Sequence, residues 1–344
     1  MDDAGQIQVN REIPAKSLKT PTTVSPELQR SISGMAAAAS AGGGLPVGWS
    51  PGSAVEWKAI VAQMDAQALS VAPAIKAMFP HSSEVRQIAG VTVREITPST
   101  LDPAKAGKLL VHFHGGGYVL NGGEASTGEA VLGAHYSGMK VISVDYRMPP
   151  EHPFPAAVDD AVAVWRALRA NRPAAAMGAF GTSAGGGLTL ALALKLKELG
   201  EDLPGALALG TPWADLTGSS DSYQVNAHVD GIFSDFDGFG RAMAELYAGP
   251  AGVTHPLVSP VFGEFSGFPP TVFVTGTRDI LLSDTVRVYR AMRAAGVTAR
   301  LEVHEAMSHA EYIYAFDSPE SAVAFQDIAQ FFDKHLVFDE HLKG

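Results

Sequence analysis

Gly181-Thr182-Ser183-Ala184-Gly185 sets a serine between two glycines, with an apolar strand pattern before it and an apolar helical pattern after it. A serine hydroxyl is a weak nucleophile, so chemistry at this residue needs an exposed position beside a base. A sharp strand-to-helix turn supplies such a position, and small neighbours give the turn room. Taken alone, the pentapeptide equally describes a glycine-rich helix start with no chemistry. A second stretch favours the catalytic reading. His114-Gly115-Gly116-Gly117 ends the apolar run Leu109-Leu110-Val111-His112-Phe113. When an acyl carbonyl is attacked its oxygen becomes an anion, which backbone N–H groups already aimed at it can stabilise. The expected donors are the amides of Gly115, Gly116 and Gly117 together with that of Ala184.

A serine nucleophile needs a histidine base and a carboxylate to orient it. Asp279 follows the apolar run Val272-Phe273-Val274, and His309 follows Leu301-Glu302-Val303. The chain order Ser183, Asp279, His309 is the one that accompanies G-x-S-x-G elbows. Asp284 reads as a first-turn charge on the following helix. His304 reads as a strand or edge residue. His304-Glu305 and His309 have the spacing H-E-x-x-x-H, whereas a zinc helix needs H-E-x-x-H to put both rings on one face, so no metal site is expected.

These residues need a scaffold that delivers each to the end of a strand. From about residue 88 the chain alternates strand and helix patterns. Strands are expected at 91–96, 109–113, 141–144, 179–180, 206–209, 272–274 and 301–303. Helices are expected at 156–170, after Ser183 through Leu196, at 285–295 and at 322–336. Such alternation implies an α/β fold with a mainly parallel sheet covered on both faces, whose sites lie beyond the carboxyl ends of the strands. Two segments break the rhythm. Residues up to about 80 are rich in Pro, Ala and Gly, with one or two amphipathic helices expected between Pro51 and Pro80. Between Trp213 and Pro256, Phe233, Phe236, Phe239, Met243 and Tyr247 recur at roughly helical spacing, either as ordinary helix packing or as a lid bordering an apolar pocket.

Composition narrows the partners. Hydrophobic residues make up 46% of 344 and charged residues 18%, enough apolar content for a substantial core. Net charge is −11 with no basic cluster, which argues against nucleic acid and anionic membrane surfaces. No apolar run reaches the length of a membrane span. There is no cysteine, so disulfides, thiolate metal sites and cysteine nucleophiles are excluded together. The first residues carry no signal-peptide pattern, so a cytoplasmic location is expected, with a processed secreted or periplasmic form as the alternative.

The chain resembles the hormone-sensitive-lipase-like, bacterial family IV carboxylesterases of the α/β-hydrolase superfamily. The resemblance spans about residues 88–335 and rests on His114 to Gly117, on Asp145-Tyr146-Arg147-Met148-Pro149-Pro150-Glu151-His152-Pro153-Phe154-Pro155-Ala156, and on Gly181 to Gly186. Pro269-Pro270, Asp279-Ile280-Leu281-Leu282-Ser283-Asp284 and Met307-Ser308-His309 continue it. Thr182 stands where much of that family has Asp, a feature similar to a GTSAG subgroup, and Ala310-Glu311 replaces a frequent Gly-Phe. The resemblance implies an α/β-hydrolase fold with a helical cap. It divides the chain into an N-terminal arm and cap helices (1–87), a first core part (88–212), a cap insertion (213–256) and a second core part (257–344). It implies a homodimer and a serine esterase acting on short to medium acyl esters without cofactor, with Ser183 as nucleophile, His309 as base and Asp279 as acid. Alternatives are an amidase, lactone or carbamate hydrolase with the same triad, or a non-catalytic relative that binds a small ligand. Asp145, Arg147, Glu151 and Asp159 are assigned to structural ion pairing.

Overall fold

A computed structural model of the protein describes residues 13–338 apart from 16, 42–44 and 47. The first twelve residues of the expected arm, Gly42 to Gly44 and the last six residues of the chain therefore lie outside the described residues. Along the chain come α1 (Pro26–Ser40), α2 (Ala54–Ser70), α3 (Ala72–Met78), β1 (His81–Ile88), β2 (Val91–Pro98) and β3 (Leu109–Phe113). Then follow α4 (Thr127–Ser137), β4 (Val141–Val144), α5 (Ala156–Arg169), β5 (Met177–Thr182), α6 (Ala184–Glu198) and β6 (Ala206–Gly210). The irregular segment holds α7 (Ser222–Val225) and α8 (Arg241–Ala248). The fold closes with β7 (Thr271–Gly276), α9 (Leu282–Ala294), β8 (Ala299–His304), α10 (Glu311–Tyr314) and α11 (Pro319–His335).

The strands form one sheet in the order β1-β2-β4-β3-β5-β6-β7-β8. From β4 to β8 every neighbouring pair is parallel, while β1/β2 and β2/β4 are antiparallel. Alternating residues of each buried strand feed opposite layers, as the period of two requires. Val111, Phe113, Ala179, Leu207 and Phe273 join one core with α5, α6 and α9. Leu110, Phe180, Ala208, Val272 and Val274 join the other with α4 and α11. This is the α/β-hydrolase architecture that the motifs implied.

The expected strands lie within the observed ones, and the expected helices match them to within about three residues, three of them running one residue too far, to Ala170, Ala295 and Leu336. Besides the short α7 and α10, three elements carried too weak a signal to be read. In β1, His81-Ser82-Ser83-Glu84-Val85-Arg86-Gln87-Ile88 is solvent-facing along nearly its whole length and has no apolar alternation. It exists because Ala89 and Gly90, both with positive φ, fold it back onto β2. In α1, Ser25 caps the Leu28 N–H and Pro26 stands in the first turn, but only Leu28 and Ile32 are buried. α4 is buried nearly all round, so it shows no amphipathic period. The structural ion pair expected near Arg147 is present with a different acid. Arg147 bonds Asp160 through Nε and through Nη2 at 2.8 Å, because Asp160 rather than Asp159 lies on the buried side of α5.

Candidate active site

The order of β3, β5, β6, β7 and β8 in the sheet decides what stands beside Ser183. The loop after β3 carries Gly115 to Gly117, the turn after β5 carries Ser183, β6 leads into Thr211, and the ends of β7 and β8 lead to Asp279 and His309. From β5 to β8 is three strand spacings, roughly 14 Å, so the β7 and β8 loops must reach back across the sheet top.

Ser183 has φ 61° and ψ −125°, a conformation that costs a non-glycine residue free energy and survives only when its surroundings dictate it. Here they do. The Ser183 N–H donates to the Gly210 carbonyl at 2.9 Å, and its own carbonyl accepts from Gly187 at 3.0 Å and Trp213 at 2.9 Å. The flanking glycines have no alternative. A Cβ at Gly181 would lie 2.2 Å from the Phe113 carbonyl oxygen, and one at Gly185 would lie 1.9 Å from the same atom. The G-x-S-x-G pattern thus reflects strand-to-helix contact against the end of β3 on both sides of the serine.

That contact also brings the glycine loop to the serine. A Cβ on Gly115 would stand 2.9 Å from the Thr182 carbonyl and 3.3 Å from Ser183 Cβ. Gly116 and Gly117 have φ of +109° and +62°, open to glycine and strained for other residues. The N–H groups of Gly116, Gly117 and Ala184 donate no hydrogen bond among the described residues. Ala184 opens α6, so its N–H is one of the unpaired donors at a helix N-terminus. Above the loop, a Cβ on Gly117 would meet Met243 Sδ at 2.5 Å and the Trp213 ring at 3.5 Å.

His309 is buried, and its Nδ1 lies 3.1 Å from Asp279 Oδ1 and 2.9 Å from Thr211 Oγ1. With Nδ1–H committed there, Nε2 is the nitrogen free to exchange a proton. Asp279 is fully buried; its Oδ2 accepts from Thr275 Oγ1 at 2.6 Å and its Oδ1 from the Leu281 N–H at 2.8 Å. Burial disfavours the Asp279 charge, but the His309 hydrogen bond and charge, with the Thr211 and Thr275 hydroxyls, hold its carboxyl below the usual range. Burial likewise works against a charged His309, yet the Asp279 hydrogen bond and the charges of Asp279, Asp230 and Asp284 outweigh it and make the imidazole more basic than usual. Residues 210–213 join the two halves: Gly210 and Trp213 hold the Ser183 backbone while Thr211 meets the His309 ring. Ser183 Oγ makes no hydrogen bond among the described residues, and unliganded sites of this kind often tighten only around substrate.

Asp284 stands in the first turn of α9, but it is fully buried and does more than face a helix end. Its carboxylate accepts from Ser220 Oγ, Tyr223 OH and the Asp215 N–H, and burial pushes it up to about 7. His304 is the last residue of β8, and among the described residues no hydrogen bond joins its side chain to Ser183, Asp279 or His309. The chemistry-bearing residues that motif reading missed are Thr211, Thr275 and Asp230. Thr275 lies in the Thr275-Gly276-Thr277-Arg278-Asp279 run and could have been found there, whereas Asp230 sits in the irregular segment without any pattern to mark it. Thr182 has its side chain turned inward, donating to Glu129 Oε1 at 2.6 Å and bonded to the Tyr312 hydroxyl. The aromatic stripe packs against its surroundings, and one of its rings meets His309. Phe236 packs on Tyr223 and Tyr247 stacks on Tyr118, while Phe233 stands edge-on to His309 with centroids 5.8 Å apart. Phe239 packs on Trp49 and on Trp57 of α2, so the two irregular segments meet.

Residues 110–313 match the family described as alpha/beta hydrolase fold. The chain belongs to that family. It is 33% identical to an acetyl-hydrolase of Streptomyces hygroscopicus over 238 residues, 69% of this chain and 79% of the relative. An esterase of Acinetobacter venetianus is 33% identical over 272 residues, covering 74% and 84%. Among solved structures, one esterase superposes with a TM-score of 0.89 at 40% identity, over 95% of this chain and 99% of that one. An esterase from the bacterial hormone-sensitive lipase family superposes with a TM-score of 0.77 at 29% identity, over 91% and 99%. Within the family the chain is thus a carboxylesterase of the hormone-sensitive-lipase-like kind. No helix among the described residues is long and apolar enough to cross a membrane.

Proposed function

We propose that this esterase hydrolyses carboxylic esters through an acyl-enzyme formed on Ser183, with His309 as general base and then acid and Asp279 holding its tautomer. The observation that carries the reading is the Ser183 backbone at φ 61°, forced by glycines with no space for a side chain, next to a chain segment that also contacts the His309–Asp279 pair. Ser183 Oγ attacks the carbonyl carbon and its proton passes to His309 Nε2. The oxyanion is received by N–H groups of Gly116, Gly117 and Ala184, with Gly115 shaping their approach. His309 returns the proton to the leaving alcohol, and a water deprotonated by the same nitrogen releases the acid. Apart from the ester and the water, every group in this sequence belongs to the protein.

Of residues 1–87, the described helices before β1 form, with 213–256, a cap over the core parts 88–212 and 257–344, while β1 (His81–Ile88) is an edge strand of the sheet; the contact of Phe239 with Trp57 and the seat of Met243 on Gly117 support this division. The family resemblance and the modest size of the cap support a preference for short to medium acyl chains. Measured on p-nitrophenyl esters from acetyl to palmitoyl, kcat/KM should peak at or below the medium chains and fall at palmitoyl, and an anilide should react far more slowly. A palmitoyl optimum would refute the acyl preference, and an anilide turned over as fast as the ester would make the protein an amidase. The same panel on protein lacking residues 1–80 tests the cap, since undiminished kcat/KM in a soluble truncation removes that segment from the site.

The resemblance also supports a homodimer. Light scattering should return about twice the 36.0 kDa chain mass, and a monomeric mass at working concentration would count against it.

A further inference from the structure

Asp230 lies between α7 and α8, in the segment over the sheet, and is 2% exposed. Its carboxylate accepts four backbone N–H groups. Oδ1 takes those of Ile232 at 2.9 Å and Phe233 at 3.0 Å, which closes a local turn. Oδ2 takes those of Ile280 and His309, both at 2.9 Å. One oxygen atom thus ties the residue after Asp279 to the backbone of His309, although the two loops spring from different strands. Neighbours of Asp230 repeat the link. Asn226 Nδ2 donates to the Asp279 carbonyl at 2.8 Å, and the Gly231 N–H donates to Ser308 Oγ at 3.1 Å. From outside, Met35 of α1 covers the segment, with its Sδ 3.0 Å from where a Gly231 Cβ would be.

We propose that Asp230 is a positioning residue of the esterase: its carboxylate sets the Asp279 and His309 loops against each other and supplies a second negative charge beside the base. The inference deepens the triad reading above and rests on it. A local turn alone would be satisfied by any single acceptor. Four donors shared two to each oxygen need a carboxylate, since an asparagine has one acceptor oxygen and its amide nitrogen would oppose two N–H groups. The charged groups acting on His309 are Asp279 from the β7 loop, Asp230 from this segment and Asp284 from α9, while Phe233 presents an uncharged ring. Burial and the Asp279 charge push Asp230 up to about 6, against the pull of His309 and the backbone donors. Above that pH it is ionised and favours the imidazolium. Removing its charge lowers the His309 pKa, so the acid limb of kcat/KM moves to lower pH.

The full chain and Asp230→Asn are compared on p-nitrophenyl butyrate from about pH 5 to about pH 9. Asp230→Asn should lower kcat by roughly 10- to 100-fold with KM within about threefold, and should move the acid limb to lower pH. Wild-type kcat, or a loss of kcat with the limb unmoved, overturns the proposal, because a purely structural residue would not move the limb. If Asp230→Asn does not fold, Asp230→Glu decides: it keeps the charge but displaces the two loops. Lost kcat at wild-type Tm supports the proposal, while wild-type kcat, or a loss matched by a fall in Tm, overturns it. Ser183→Ala run in parallel keeps the two readings apart, since turnover surviving there defeats the triad whatever Asp230 does.

Discussion

Ser183→Ala should lower kcat by about 10⁶-fold while leaving KM and Tm near wild type. The size follows from the role: without Oγ there is no acyl-enzyme, and what survives is the contribution of oxyanion donors and binding. The fold should be indifferent to the change. Ser183 Oγ makes no hydrogen bond among the described residues, and the backbone bonds to Gly210, Gly187 and Trp213 use atoms that alanine keeps. Alanine meets the same cost at φ 61° as serine does. A phosphonate ester gives a second reading of the same residue, because it marks only an activated serine. Mass spectrometry should find it on Ser183 in the native protein and on nothing in Ser183→Ala. Labelling that persists in the variant, or turnover within about tenfold of wild type, would place the nucleophile elsewhere.

Asp279→Asn should cost about 10⁴-fold in kcat with the fold intact. An amide in place of the carboxylate can turn its NH₂ toward His309 Nδ1 and so stabilise the tautomer that carries the proton on Nε2, the nitrogen that has to accept one. The His309 imidazolium also loses its nearest counter-charge. Asp279 is the principal group raising the basicity of His309, so residual activity should show its acid limb at lower pH than wild type. His309→Ala should fall by several powers of ten, and the losses in Asp279→Asn and His309→Ala should not multiply, since the residues act as one unit. His304→Ala is the control for the histidine. Asp284→Asn is a poor control for the acid, because its carboxylate accepts donors from the chain at Asp215, Ser220 and Tyr223, so the change carries a stability cost of its own. If Asp279→Asn kept wild-type kcat while His304→Ala lost it in folded protein, acid and base would both be misassigned.

Residues whose chemistry depends on their own loop were legible one by one. Asp279 and His309 could be picked out because each follows a buried apolar run, and apolar runs of this length read as strands whatever packs against them. Asp160 was not read as the partner of Arg147 because choosing among the acids nearby needs the face of α5, which its first turn does not reveal. β1 was unreadable because a solvent-facing strand, held by its hairpin turn and one neighbour, has no apolar period to detect.

Sequence alone determined the strand-and-helix rhythm, the Ser183, Asp279, His309 order and the glycines around the nucleophile, since each depends on neighbours along the chain. Tertiary structure decided what only the sheet order can bring together: Gly181 and Gly185 against the Phe113 carbonyl, Thr211 at His309, Met243 on Gly117, and Asp230 between the Asp279 and His309 loops. The physical reason is the range of the interaction. A strand period or a turn is dictated by residues a few positions apart, whereas a carboxylate that accepts an N–H 79 positions away leaves no local trace until the strands are in register.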